Sequence, residues 1–120
     1  MNDQTSIAQA YVDAWNERDA QRRMAAVSRL WTAEASYVDP LMQGSGHTEI
    51  AGLIAAVQAR FPDFRFSLAG TADAYADKLR FSWNLGPESG PAVIRGTDFA
   101  ELEDGRLNRV VGFLDQVPAA

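Results

Sequence analysis

Apolar positions recur at helical spacing three times in the first half of the chain and at strand spacing in the second. Over residues 4–18, Ile7, Tyr11, Ala14 and Trp15 fall on one face with Gln and Asp between them, which predicts an amphipathic helix whose buried stripe carries a phenol. A second helical stretch, 20–31, sets Met24, Val27, Leu30 and Trp31 on one side and Arg22, Arg23 and Arg29 largely elsewhere. A strand follows in which Ala35, Tyr37 and Asp39 share a face, closed by Asp39-Pro40. The third helix, 46–60, carries Ile50, Leu53, Ile54 and Val57 on its stripe. Glu49 in its first turn and Arg60 in its last suit the helix dipole, and Phe61-Pro62 ends it.

From Phe64 onward the period changes to two. Phe64, Phe66 and Leu68 alternate with Arg65 and Ser67, and Leu79, Phe81, Trp83 and Leu85 alternate with Arg80, Ser82 and Asn84. Gly86-Pro87-Glu88-Ser89-Gly90 and Asp104-Gly105 are turn signals that bracket a strand over 92–102, paired with another over 106–115. Helices first and an antiparallel meander afterwards describe an α+β fold, with a curved sheet packed on a small helical layer. A cone-shaped sheet of this kind leaves a cavity between its concave face and the helices, a common place for a small-molecule site. With no repeat or linker, residues 1–120 read as a single domain.

Composition narrows the partners. Apolar residues make up 47% and charged residues 22%, the balance of an ordinary globular domain. The formal net charge is −5 and the basic residues are scattered, so no footprint for nucleic acid or an anionic membrane is visible. Without cysteine there is no disulfide, thiol nucleophile or thiolate metal site. His47 is the only histidine and no His/Asp/Glu set has ligand-like spacing, so neither a metal nor another cofactor is expected. The first twenty residues lack a basic start followed by an apolar core, and a cytoplasmic protein is the expectation.

Strict alternation in 92–102 puts Ile94, Gly96, Asp98, Ala100 and Leu102 on one face, and Asp98 is the only polar residue on it. A carboxyl group held among apolar side chains either finds hydrogen-bond donors or keeps its proton near neutral pH. Asp39 shares its face with Tyr37, and Tyr11 places a phenol hydroxyl in the same layer, so three polar tips converge on the cavity if these faces point inward. Proton abstraction beside a carbonyl needs such a set: a base, plus donors where negative charge develops. Each residue also has a plain structural reading, Tyr11 as core, Asp39 as a strand end, and Asp98 as a tie to buried Trp or Tyr hydrogens. Arg80 and Asn84 either line the cavity or face solvent.

Four segments, AYVDAWNERD, ASYVDP, RFPDFRF and RGTDFAELEDGRL, in this order and spacing, resemble the nuclear-transport-factor-2-like superfamily over nearly the whole chain. The resemblance is to its SnoaL-like domains, related to polyketide cyclases and ketosteroid isomerases and having a cone-shaped, cystatin-like fold. It implies that Asp39 shuttles a proton while Tyr11 and protonated Asp98 donate hydrogen bonds to a dienolate oxygen. It further implies a small hydrophobic ligand, walled by Trp15, Trp31, Ile54, Phe81 and Trp83. Ile54 stands where the isomerases carry a tyrosine that supports the oxyanion tyrosine, and Trp31 where some carry another. Limonene-epoxide hydrolases of the same fold use an Arg-x-Asp pair, and here Ser82 follows Arg80 in its place, with Gly112 near the position of a second aspartate. Two functions follow from the reading, a cofactor-free isomerase or aldol cyclase and a non-catalytic binding module. Phe64, Phe66, Phe81, Trp83 and Phe113 exceed what one small core face buries, which together with the resemblance predicts a homodimer through the outer sheet face.

Overall fold

In the computed structural model, which describes residues 5–118, the chain runs through three helices and six strands. They are α1 (Thr5–Asn16), α2 (Ala20–Leu30), β1 (Trp31–Val38), β2 (Gln43–Ser45), α3 (Gly46–Arg60), β3 (Phe64–Tyr75), β4 (Lys78–Pro87), β5 (Ile94–Glu103) and β6 (Arg106–Gln116). The expected start of the first helix at residue 4, and the ends of the single domain at 1–4 and 119–120, lie outside the described residues. The strand order is β2-β1-β6-β5-β4-β3, with β1 and β6 parallel and every other pair antiparallel. This is the expected α+β cone, in which the helices cover the concave face of a curved sheet.

Each helix begins or ends for a local reason. Asp19 caps α2 by accepting the Arg22 N–H at 2.9 Å. The α2 stripe was expected to run through Trp31, but Trp31 is already extended, with φ −109° and ψ 149°, and opens β1 with its side chain fully buried. Its carbonyl is fixed by Arg106 at 2.8 Å and by His47 Nε2 at 2.9 Å, so the lone histidine ties the first turn of α3 to the sheet. The corner between α1 and α2 rests on buried Gln58 of α3. Its amide donates to the carbonyls of Trp15 and Glu17 at 2.8 Å, while its oxygen accepts from Arg23 at 2.6 Å. Asn16 pairs with both backbone groups of Phe66, joining the end of α1 to the edge strand β3.

β3 and β6 run further than expected, while β5 begins at Ile94 rather than at 92. β3 continues to Tyr75 past a register shift between Ala69 and Asp73, and turns into β4 through Ala76-Asp77. The β5–β6 hairpin has the expected Asp104-Gly105 turn, with φ of 54° and 78°, the two positive values of a type I′ turn. Along β4 and β5 the alternation holds: Leu79, Phe81, Trp83 and Leu85, and Gly96, Asp98, Ala100 and Leu102, are buried. Phe81 and Trp83 therefore face the helices, and Phe64 and Phe66 pack against the core, which corrects the count of aromatics on the outer face; of the five only Phe113 is exposed there, at 57%. No helix among the described residues is long and apolar enough to cross a membrane.

Candidate active site

A cavity of about 920 Å³ opens between the concave face of the sheet and the helices. Its walls are mostly apolar, with Val12, Met42, Val57, Phe66, Leu85 and Leu114 among them. Besides Arg60 at the end of α3, four polar side chains line it, Tyr11 from α1, Tyr37 from β1, Asp39 just past β1, and Asp98 from β5. The three expected site residues thus share one cavity with a fourth that sequence reasoning had only noted as a neighbour.

Register explains how strands separated in sequence deliver two carboxyl groups to one place. Asp98 pairs with Gly112 on β6, and the residues before Asp39 and Gly112, Val38 and Val111, pair on the far side of that strand. A Cβ on Gly112 would stand 2.9 Å from Asp98 Oδ1, 3.2 Å from Asp39 Cβ and 3.4 Å from the Tyr37 hydroxyl. The glycine thus leaves the gap between the two acids empty. Any side chain there would fill it.

Asp98 is 1% exposed. The Tyr11 hydroxyl donates to its Oδ2 at 2.5 Å and the Trp83 indole N–H to its Oδ1 at 3.1 Å. Burial pushes its pKa up to about 6, and the nearby Asp39 and Asp115 charges add to the rise, while the Tyr11 and Trp83 hydrogen bonds hold it down. Asp39 has a different setting. Its Oδ1 accepts the backbone N–H groups of Leu41 and Met42 at 2.8 and 3.0 Å, and its Oδ2 accepts the Tyr37 hydroxyl at 2.6 Å. Asp-Pro therefore does close the strand, and the same carboxylate reaches the cavity.

Both phenols stay protonated at ordinary pH. Burial drives Tyr11 well above its usual value, followed by the field of Asp98; burial also raises Tyr37, again with Asp98 and then Asp39 behind it. Tyr11 and Tyr37 each act on the other's ionisation, so two hydrogen-bonded groups, Trp83–Asp98–Tyr11 and Tyr37–Asp39, lie within each other's field in the cavity. The phenol beside Tyr11 is thus supplied by β1, while Ile54, at the position where the isomerases carry a tyrosine, is buried core. The signal for Tyr37 was its shared face with Asp39; what sequence could not give was its distance from Tyr11.

Of the expected wall residues, Trp15 and Trp83 line the cavity. Trp31, Ile54 and Phe81 sit in the core outside its lining. Tyr11 packs against both Trp31, at 5.8 Å between ring centres, and Phe81, at 4.9 Å, so these residues set the phenol's position. The indole N–H groups of Trp15 and Trp31 are buried with no hydrogen-bond partner among the described residues. Arg80 and Asn84 lie outside the cavity, with Arg80 facing Asp73 at 3.2 Å on the surface. Among the described residues no three of His, Asp and Glu gather around a point where a cation would sit.

The profile of the SnoaL-like domain family matches residues 8–110. A solved structure from Agrobacterium tumefaciens, named as a candidate isomerase of the SnoaL-like family, is 48% identical, with 93% of this chain and 97% of that one covered and a TM-score of 0.89. A candidate ketosteroid isomerase from Kribbella flavida has a TM-score of 0.71 at 20% identity, covering 98% of this chain and 81% of the other. A candidate polyketide cyclase from Sinorhizobium meliloti reaches 0.70 at 18% identity, covering 89% and 93%. These last two share the fold. No curated protein matches the chain.

Proposed function

The chain belongs to the SnoaL-like domain family, and from that premise we propose that it is a cofactor-free isomerase or aldol cyclase that removes a proton beside a carbonyl of a hydrophobic substrate. The observation that carries this reading is the pair of carboxyl groups flanking Gly112 in an apolar cavity, one of them with its pKa pushed up to about 6. The Agrobacterium relative's name as a candidate isomerase supports it.

The carbonyl lies with its oxygen at Tyr11 and its α-carbon at Asp39. A proton passes from that carbon to the Asp39 carboxylate as the C–H electron pair becomes the enolate and charge collects on the oxygen. When Asp98 carries its proton it donates to the Tyr11 oxygen, which turns the Tyr11 O–H toward the substrate oxygen and supplies the donor where charge develops. Apolar walls exclude water and strengthen that bond. The proton then returns from Asp39 to a different carbon, which is isomerisation. In the cyclase variant the enolate carbon attacks a second carbonyl, and the resulting alkoxide takes the proton from Asp39.

The test is exchange of α-protons for deuterium in enolisable cyclic ketones, followed by proton NMR in deuterated buffer. Wild-type protein is expected to accelerate exchange and Asp39→Asn to abolish it with an unchanged circular dichroism spectrum. Equal exchange by both proteins would remove Asp39 from the mechanism. A second reading, a non-catalytic ligand-binding module, draws on the fact that every carboxylate oxygen of the pair already accepts a protein hydrogen bond. A ligand that binds tightly and leaves unchanged would favour it. For either reading we place the functional unit as a homodimer through the outer sheet face.

A further inference from the structure

We propose that the cavity takes an amphipathic anion, an apolar body with its carbonyl at the carboxyl pair and a carboxylate at the rim held by Arg60. This substrate class rests on the enolisation reading above.

Among the described residues Arg60 is the only cationic side chain lining the cavity. It gets there by helical register: Ala56, Val57, Arg60 and Phe61 all line the cavity, at the three- and four-residue spacings that place side chains on one face of α3. Its guanidinium lies 5.8 Å from the centre of the Phe61 ring, which itself stacks on Phe64 at 5.2 Å. Arg29, Arg65 and Arg95 lie outside the cavity lining, and several other arginines of this acidic chain are engaged. Arg18 and Arg23 donate to backbone carbonyls, Arg106 to those of Ser28 and Trp31, and Arg22 and Arg80 face carboxylates. Arg60 has no ion pair and no hydrogen-bond acceptor among the described residues. A cation on an apolar rim with no protein anion is available to a ligand's anion.

The interior enforces the orientation. A ligand carboxylate among the buried groups would meet Asp39 and Asp98 in a setting that punishes like charges, so the anionic end is excluded there and the neutral carbonyl is accepted. Leu41, 81% exposed, and Val117, 56% exposed, line the cavity with Arg60 and offer the apolar stem a surface near solvent.

The probe is a medium-chain fatty acid ending in a methyl ketone, compared with its methyl ester, by calorimetry on wild type, Arg60→Gln and Arg60→Lys. An exposed charge pair is expected to give the acid a preference of about fivefold over the ester. Arg60→Gln loses it, Arg60→Lys keeps most of it because a point charge suffices at an exposed rim, and added salt weakens it. Equal binding of acid and ester to wild type, a preference that survives in Arg60→Gln, or no binding of either probe would overturn the proposal. Deuterium exchange on the ester separates the two claims. Exchange without acid preference keeps the enolisation chemistry and removes the anion; acid preference without exchange keeps the anion site and removes the chemistry.

Discussion

Asp98 is a carboxyl group whose burial favours its protonated form, and in the proposed mechanism its protonation state decides whether Tyr11 points into Asp98 or toward a substrate. If the donor form does the work, activity falls as pH rises through about 6, the value to which burial pushes Asp98. Trp83 donates to the charged form, so Trp83→Phe raises that value further and moves the descending limb of the pH–rate profile to higher pH. A profile unchanged in Trp83→Phe would mean that another group sets the limb. The same shift has a stability counterpart. A carboxyl that binds its proton more tightly when folded stabilises the fold fully below its unfolded value of 3.8, and that contribution, about 3 kcal/mol, is lost as pH rises through about 6. Urea unfolding at several pH values should show this fall in wild type and a flatter dependence in Asp98→Asn. Asp98 was legible in the sequence because one acid interrupted an apolar alternation. The kind of donor, a buried Trp or Tyr, was legible too, but not that both bond at once, since Trp83 reaches it from the neighbouring strand and Tyr11 from a helix 87 positions away.

Elements, rather than residues, decide whether those groups meet. β5 brings Asp98 to Trp83 because Gly96 lies under the indole: a Cβ there would stand 2.2 Å from Trp83 Cζ2. Gly96→Ala therefore displaces the ring or the strand, at a cost of about 1–3 kcal/mol, and breaks the Trp83–Asp98 bond. A thermal midpoint unchanged from wild type would show that the ring moves freely. The helical layer has its own joint in Gln58, whose amide serves two carbonyls at the end of α1 and one arginine of α2. Gln58→Leu removes all three bonds, although Arg23 still donates to the carbonyls of Glu17 and Arg18, and is expected to cost about 1–3 kcal/mol, measurable as a lowered urea midpoint. Periodicity found the helices because their stripes are broad. It carried the second helix one residue too far, since no glycine or proline separates Leu30 from Trp31 and it is the hydrogen bonds to the Trp31 carbonyl that fix the start of the strand. It shortened β3 because the alternation lapses around Gly70, at φ 77°, where the register shifts.

At the scale of the molecule the sheet has two faces with separate tasks, the concave one holding the cavity and the convex one largely bare of helices. On the convex side Val38, Val111 and Phe99 form a row across β1, β6 and β5, since Val38 pairs with Val111 and Val111 with Phe99. Phe113 stands two residues further along β6 on the same side, beside Thr97. Exposure of 39% for Val38, 36% for Phe99 and 57% for Phe113 leaves this row open to water. The patch is smaller than the sequence suggested, but it is continuous, and continuity matters more to association than the number of aromatics. Two copies placed face to face by a two-fold axis would bury the row against itself, with the Ser82–Thr97–Asp115 hydrogen-bonded chain near its border as polar rim. Sedimentation equilibrium at micromolar concentration is expected to give twice 13.1 kDa for the wild type. Phe113→Asp puts a charge from each copy into that apolar contact and should return the monomer without loss of helix or strand signal. Because Phe113 faces away from the cavity, the monomer's affinity for a small ligand then reports whether pairing shapes the site: unchanged binding means that each cone works alone, and weakened binding means that the partner stiffens the strands that hold Asp39 and Asp98.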